Sequence, residues 1–140
     1  MNEILVNIIA VDDNEGDLQL LKNALTDDGI INYKLFTDAE KFLEEVEKNE
    51  CPVCIIDHLL GSQTGYEIML KVKSIAAHSF IIILSGYGDV YEFTQYANAK
   101  ADRFVLKNEP LYIKKLLSFV TEGIRYQLNY LTLKQGIKSL

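Results

Sequence analysis

Five short apolar runs, separated by segments of helical periodicity, constrain this chain more than any other feature. They are Ile4 to Val11, Ile31 to Phe36, Val53 to Asp57, Phe80 to Ser85 and Arg103 to Leu106, each of the length typical of a buried strand. Strands that alternate with helices close into a parallel sheet covered on both faces. The third and fourth runs, Val53-Cys54-Ile55-Ile56 and Phe80-Ile81-Ile82-Ile83-Leu84, are apolar at every position and belong at the centre of the sheet. The predicted fold class is therefore α/β: a five-stranded parallel sheet of order 2-1-3-4-5, helices on both faces, and an extended C-terminal helix.

The intervening segments carry helical stripes. Leu18, Leu21 and Leu25 form one, ended by Gly29; Phe42, Leu43 and Val46 form a second; Ile68, Val72 and Ile75 form a third. Thr37 with Glu40, Thr64 with Glu67, and Asp89 with Glu92 each place a capping acceptor three residues before a glutamate, which predicts three helix starts. Asp13 or Asn14 is placed to cap the first helix. Pro110 suits the first position of the last helix, where its missing N–H costs nothing. That helix carries Ile113, Leu117, Val120, Ile124 and Leu128 on one face and runs longer than a sheet needs. We divide the chain into a domain over 1–122 and a helical extension or tail over 123–140. The extension either pairs in a homodimer, folds back on its own domain, or frays over Lys134 to Leu140.

Composition narrows the function. A chain of 140 residues, 49% hydrophobic, supplies one core. Its 20 acidic and 14 basic residues give a net charge of −6, which repels a phosphate backbone, so no direct nucleic-acid contact is expected. The first apolar run follows Glu3, ends in two aspartates and is far shorter than the ~20 residues that span a bilayer. We expect no membrane segment and a cytoplasmic protein. Cys51 and Cys54 form a C-x-x-C, but a strand follows where redox chemistry needs a helix N-terminus, so both read as buried thiols. His58 and His78 have no cysteine partner at zinc-ligand spacing.

In an open parallel sheet, ligands bind beyond the carboxyl ends of the strands, where the strand order reverses. Here the first strand ends in Asp12 and Asp13, the third in Asp57, the fourth in Ser85, and Lys107 follows the fifth. The order 2-1-3-4-5 would bring the three aspartates into one pocket. Clustered carboxylates repel one another unless a cation compensates them. A hard divalent ion such as Mg2+, which uses a few carboxylates together with a substrate phosphate, fits this set. Asp57 can then attack phosphorus, with the metal and Lys107 neutralising the phosphoryl oxygens and Ser85 donating to one of them.

These residues resemble the response regulator receiver family of two-component signal transduction, a flavodoxin-like doubly wound fold, over roughly Ile4 to Val120. The resemblance implies that Asp12 and Asp13 are the acidic metal pair and Asp57 the phosphoacceptor and a third ligand. It further implies that the Leu59 backbone carbonyl completes the metal's protein ligands, that Ser85 and Phe104 are the switch residues, and that Lys107 is the catalytic lysine. Gly65, eight residues after Asp57, matches a family glycine. Two prolines are missing: Asn108 stands after the lysine and Gly61 in the loop after Asp57. The implied function is a stand-alone receiver that takes a phosphoryl group from a phosphohistidine of a sensor histidine kinase or a histidine phosphotransfer protein. It would catalyse its own modification and signal to a downstream protein through the fourth helix, fifth strand and fifth helix, where Tyr91, Gln95 and Asn98 share a face. The alternatives are a receiver-like module that binds partners without phosphorylation, an aspartyl phosphatase, and a flavin binder. The last is opposed by the acidic first loop, Asp12-Asp13-Asn14-Glu15-Gly16-Asp17.

Overall fold

The structure, a computed structural model, describes residues 5–30, 32–86, 88 and 90–139. Among the described residues, seven strands and five helices follow one another as β1 (Ile8–Val11), α1 (Glu15–Asp27), β2 (Tyr33–Phe36), α2 (Ala39–Glu47), β3 (Val53–Asp57), β4 (Leu59–Leu60), β5 (Gln63–Thr64), α3 (Gly65–Ile75), β6 (Phe80–Ser85), α4 (Val90–Asn98), β7 (Arg103–Leu106) and α5 (Tyr112–Ser139). The main sheet is parallel, in the order β2-β1-β3-β6-β7. This is the predicted 2-1-3-4-5 arrangement, because β4 and β5 form a separate antiparallel ribbon that the sequence reading missed.

Side chains alternate between two cores, as the period of two demands. Ile9, Val11, Cys54, Ile56, Ile81 and Ile83 face Phe42 and Val46 of α2, Ile68, Met69 and Val72 of α3, and Tyr96 of α4. Ile8, Ala10, Val53, Ile55, Ile82 and Leu84 face Leu21 and Leu25 of α1 and Leu116 and Val120 of α5. The central strands β3 and β6 are buried along their whole length. Cys51 and Cys54 are free and buried, and burial pushes both thiols up.

Several predicted boundaries move. β1 begins at Ile8 because the strands on both sides start at that level, Ile8 pairing with Tyr33 and with Val53. β2 begins at Tyr33, since Asn32 has φ +65°, a left-handed conformation outside the extended region of a strand; Ile4 and Ile31 lie outside the described residues. Asn14 caps α1, and Thr64 caps α3 by accepting from the Glu67 N–H at 3.3 Å. Asp38, not Thr37, caps α2, accepting from the Lys41 N–H at 3.0 Å. The proposed cap Asp89 lies outside the described residues.

α5 opens at Tyr112 rather than Pro110, because Leu111 takes φ +62° and breaks the path between them. Ile75, 40% exposed, and Leu128, 36% exposed, lie off the buried faces predicted for them. The inner seam of α5 is Leu116, Val120, Gly123 and Gln127. A Cβ at Gly123 would sit 2.6 Å from the Phe80 ring, so the helix approaches β6 closely there.

Beyond that point α5 continues along its own domain. The Gln127 amide donates to the carbonyls of Pro52 (3.1 Å) and His78 (2.6 Å), Tyr130 stacks on His78 at 4.5 Å, and Lys134 pairs with Glu50. Over Gln127 to Lys134 the extension therefore contacts its own domain. No helix among the described residues is long and apolar enough to cross a membrane.

Candidate functional site

Sheet register brings the polar strand ends together. Val11 pairs with Ile56, Asp57 with Leu84, and Ser85 with Leu106, so Asp12, Asp57, Ser85 and Lys107 all fall at the carboxyl edge of four adjacent strands. They border a cleft of about 340 Å³ at the position where the strand order reverses between β1 and β3.

Oxygen atoms of Asp12, Asp13 and Asp57 lie within 4.8 Å of one another, with Asp12 and Asp57 buried and Asp13 exposed. Three hard oxygen donors at this spacing, open to solvent through Asp13, fit a divalent cation that retains waters. The Lys107 ammonium joins the cluster, 2.6 Å from Asp12 Oδ2, 2.8 Å from Asp57 Oδ1 and 2.8 Å from Asp17 Oδ2. Burial pushes the Asp12 and Asp57 carboxyls above their usual range, and the hydrogen bonds from Lys107 only partly offset this. Burial works against the charge on Lys107 too, but hydrogen bonds to Asp12, Asp17 and Asp57 prevail and hold the ammonium above its ordinary value.

The local chain conformation fixes these groups. Asp12 Oδ1 accepts from the Asn14 N–H at 2.9 Å, and Asn14 in turn caps α1, so one turn positions both the acid and the helix. Asp57 Oδ2 accepts from the Leu59 N–H at 3.2 Å, while Leu59, 66% exposed, sits on the rim of the cleft. The missing proline in this loop has a structural reason. Gly61 has φ +64° in the turn joining β4 to β5, a conformation closed to proline, whose ring fixes φ near −65°. After Lys107, the Asn108 loop is held by the Lys107 N–H on the Ser85 carbonyl at 2.7 Å, and no described peptide bond is cis. Gly65 is required sterically: a Cβ there would lie 2.5 Å from the Asp57 carbonyl oxygen and 3.0 Å from His58 Cα.

Ser85 lines the cleft, but its hydroxyl donates to Glu92 Oε1 at 2.7 Å. Phe104 does not line it; its ring packs against Tyr96 at 5.8 Å and Phe93 at 5.5 Å. Four residues around the site escaped the sequence reading of it. Asp17 reads in sequence as an ordinary acid in the first turn of a helix. Glu92 reads as a capping-box member. His58 and Tyr96 carry no motif, yet His58 Nδ1 and the Tyr96 hydroxyl lie 2.5 Å apart. Tyr96 stands three residues after the exposed Phe93, on a neighbouring face of α4, and no local pattern marks it as the inward one.

Comparison with known proteins gives a consistent result. The response regulator receiver domain family matches residues 8–119. The response regulator protein TodT of Pseudomonas putida is 25% identical over 118 residues, covering 84% of this chain and 51% of that protein. The chain thus spans about half the length of the curated relatives it matches. A CheY-like receiver domain protein from Methanospirillum hungatei JF-1 superposes with a TM-score of 0.77 at 22% identity, covering 91% of this chain and 99% of that one. DrrB, an OmpR/PhoB homologue of Thermotoga maritima, superposes with a TM-score of 0.74 at 25% identity, covering 88% and 54% respectively.

Proposed function

Because the chain belongs to the response regulator receiver domain family, we propose that it accepts a phosphoryl group on Asp57 from a phosphohistidine of a sensor histidine kinase or a histidine phosphotransfer protein. The observation that carries this reading is the placement of Lys107 against Asp12 and Asp57 beside the three-carboxylate cluster. That pairing orients the Asp57 carboxylate and supplies positive charge where phosphoryl oxygens would arrive.

In the proposed reaction an Asp57 oxygen attacks phosphorus while the bond from phosphorus to the donor nitrogen breaks, and the electron pair leaves with the imidazole. Lys107 meets the charge on the transferring group. The Ser85 hydroxyl, on the next strand, is placed to donate to a phosphoryl oxygen once it turns from Glu92. Asp12, Asp13 and Asp57, with the Leu59 carbonyl, would hold Mg2+, which when bound screens the carboxylates from the incoming phosphate. Output would pass to a protein partner through α4, β7 and α5, where Val90, Tyr91 and Phe93 are exposed side by side.

The test is incubation with magnesium and acetyl phosphate, reading intact mass for the wild type and Asp57→Asn. An adduct of about 80 Da that requires both magnesium and Asp57 is the expected result. Absence of the adduct, where a known receiver is labelled, would replace this reading with that of a phosphorylation-independent binding module.

A further inference from the structure

Glu92 lies in the first turn of α4, yet its carboxylate reaches the end of β6, where Oε1 accepts from the Ser85 hydroxyl at 2.7 Å. Ser85 is 1% exposed and shares the acceptor cleft with Glu92 and Asp57. The second carboxylate oxygen of Glu92 lies 3.5 Å from His58 Nε2. The other His58 nitrogen meets the hydroxyl of buried Tyr96, whose ring packs on Phe104. A continuous chain of contacts thus runs from the acceptor's neighbour on β6, through α4, to β7.

A serine hydroxyl has one proton, so Ser85 can donate to Glu92 or to a phosphoryl oxygen on Asp57, not to both. A phosphoryl group also brings about −1.5 to −2 charges into a cleft that Glu92 already lines with a negative one. Resting on the reading of Asp57 as acceptor, we propose that Glu92 is a latch: it holds the Ser85 hydroxyl off the acceptor site before phosphorylation, restrains that reaction, and is expelled by it. Glu92 is a positioning residue, acting on the reaction through Ser85. Its expulsion breaks the contact with His58 and frees the Tyr96 and Phe104 rings to rearrange, which gives α4 a physical reason to respond to chemistry on β3.

The test is a double-mutant cycle on the initial rate of Asp57 labelling by acetyl phosphate at saturating magnesium, the phosphorus–oxygen bond to acetate breaking as the bond to Asp57 forms. Glu92→Ala should label faster on the order of tenfold, the scale of one charge-assisted hydrogen bond. Glu92→Gln, which keeps an acceptor oxygen for Ser85 but loses the charge, should gain less. In a Ser85→Ala background the gain from Glu92→Ala should shrink by about threefold or more, because no hydroxyl remains to be released. Unphosphorylated Glu92→Ala should also move the NMR ring signals of Tyr96 and Phe104 toward their positions in the phosphorylated wild type. No gain, an equal gain in both backgrounds, or unmoved ring signals would overturn the latch while leaving the acceptor reading standing. Failure of the wild type itself to label at Asp57 would remove both.

Discussion

Asp57 is confined by three different kinds of contact: the charge of Lys107, the Leu59 N–H, and the bare Cα of Gly65 behind its carbonyl. The last is steric and has a direct consequence. Gly65→Ala must push a methyl into the space between α3 and the end of β3, displacing backbone rather than a pliable side chain. We expect a loss of about 1 to 3 kcal/mol in urea unfolding, the range of overpacking, together with slower Asp57 labelling. The charge contacts set the pH response. Burial raises the Asp57 carboxyl in the folded state above its unfolded value, so the native state holds the proton more tightly and the ionised form opposes folding. This opposition is present above the folded pKa and disappears as pH falls through it toward the unfolded value. In magnesium-free buffer, Asp57→Asn should therefore be more stable than the wild type at neutral pH, and the gap should close as the pH is lowered through the raised carboxyl range. Thermal melts of both proteins across that window check the sign.

Among the elements, α5 departs furthest from its sequence pattern. Ile113, Leu117, Val120, Ile124 and Leu128 repeat at helical spacing, and the first four pack on the second core, but the buried position that follows is Gln127 rather than Leu128. Gln127 is fully buried and donates to the carbonyls of Pro52 and His78, which precede β3 and β6, so it ties the helix to the backbone at the start of both strands. Gln127→Ala leaves both carbonyls without this donor and opens a gap. The expected cost is about 1 to 3 kcal/mol in chemical denaturation, with faster amide exchange at Tyr130 and Leu131 than at Leu116. A glutamine in a helix reads as a solvent-facing residue, which is why the docking site was not legible. The caps show the opposite case. Thr64 and Asn14 act where their spacing placed them, while Asp38 displaces Thr37 by one position, because both residues can cap and the end of β2 decides which is in reach.

At the scale of the whole molecule, the doubly wound sheet gathers, among the described residues, five acidic side chains, Asp12, Asp13, Asp17, Asp57 and Glu92, around one cleft with Lys107 among them. This concentration of like charge opposes folding, and a divalent cation relieves it. Magnesium at a hundredfold excess over its Kd should stabilise the protein by about 2.7 kcal/mol, and Asp12→Ala combined with Asp13→Ala should abolish that gain in thermal melts. By itself the sequence determined the α/β class, the alternation of the five main strands with helices, and which polar residues stand at the strand ends, because periods of 2 and 3.6 and the residue that ends each run are local properties. Only the tertiary structure decided what those groups do to one another. Lys107 meets Asp12 across 95 positions of chain, Gln127 reaches Pro52 across 75, and Tyr96 meets His58 across 38. The ribbon of β4 and β5 and the turn at Gly61 depend likewise on how β3 leaves the sheet. Contacts of this kind follow from the register of strands and the seating of helices, and no local pattern encodes which pairs will meet.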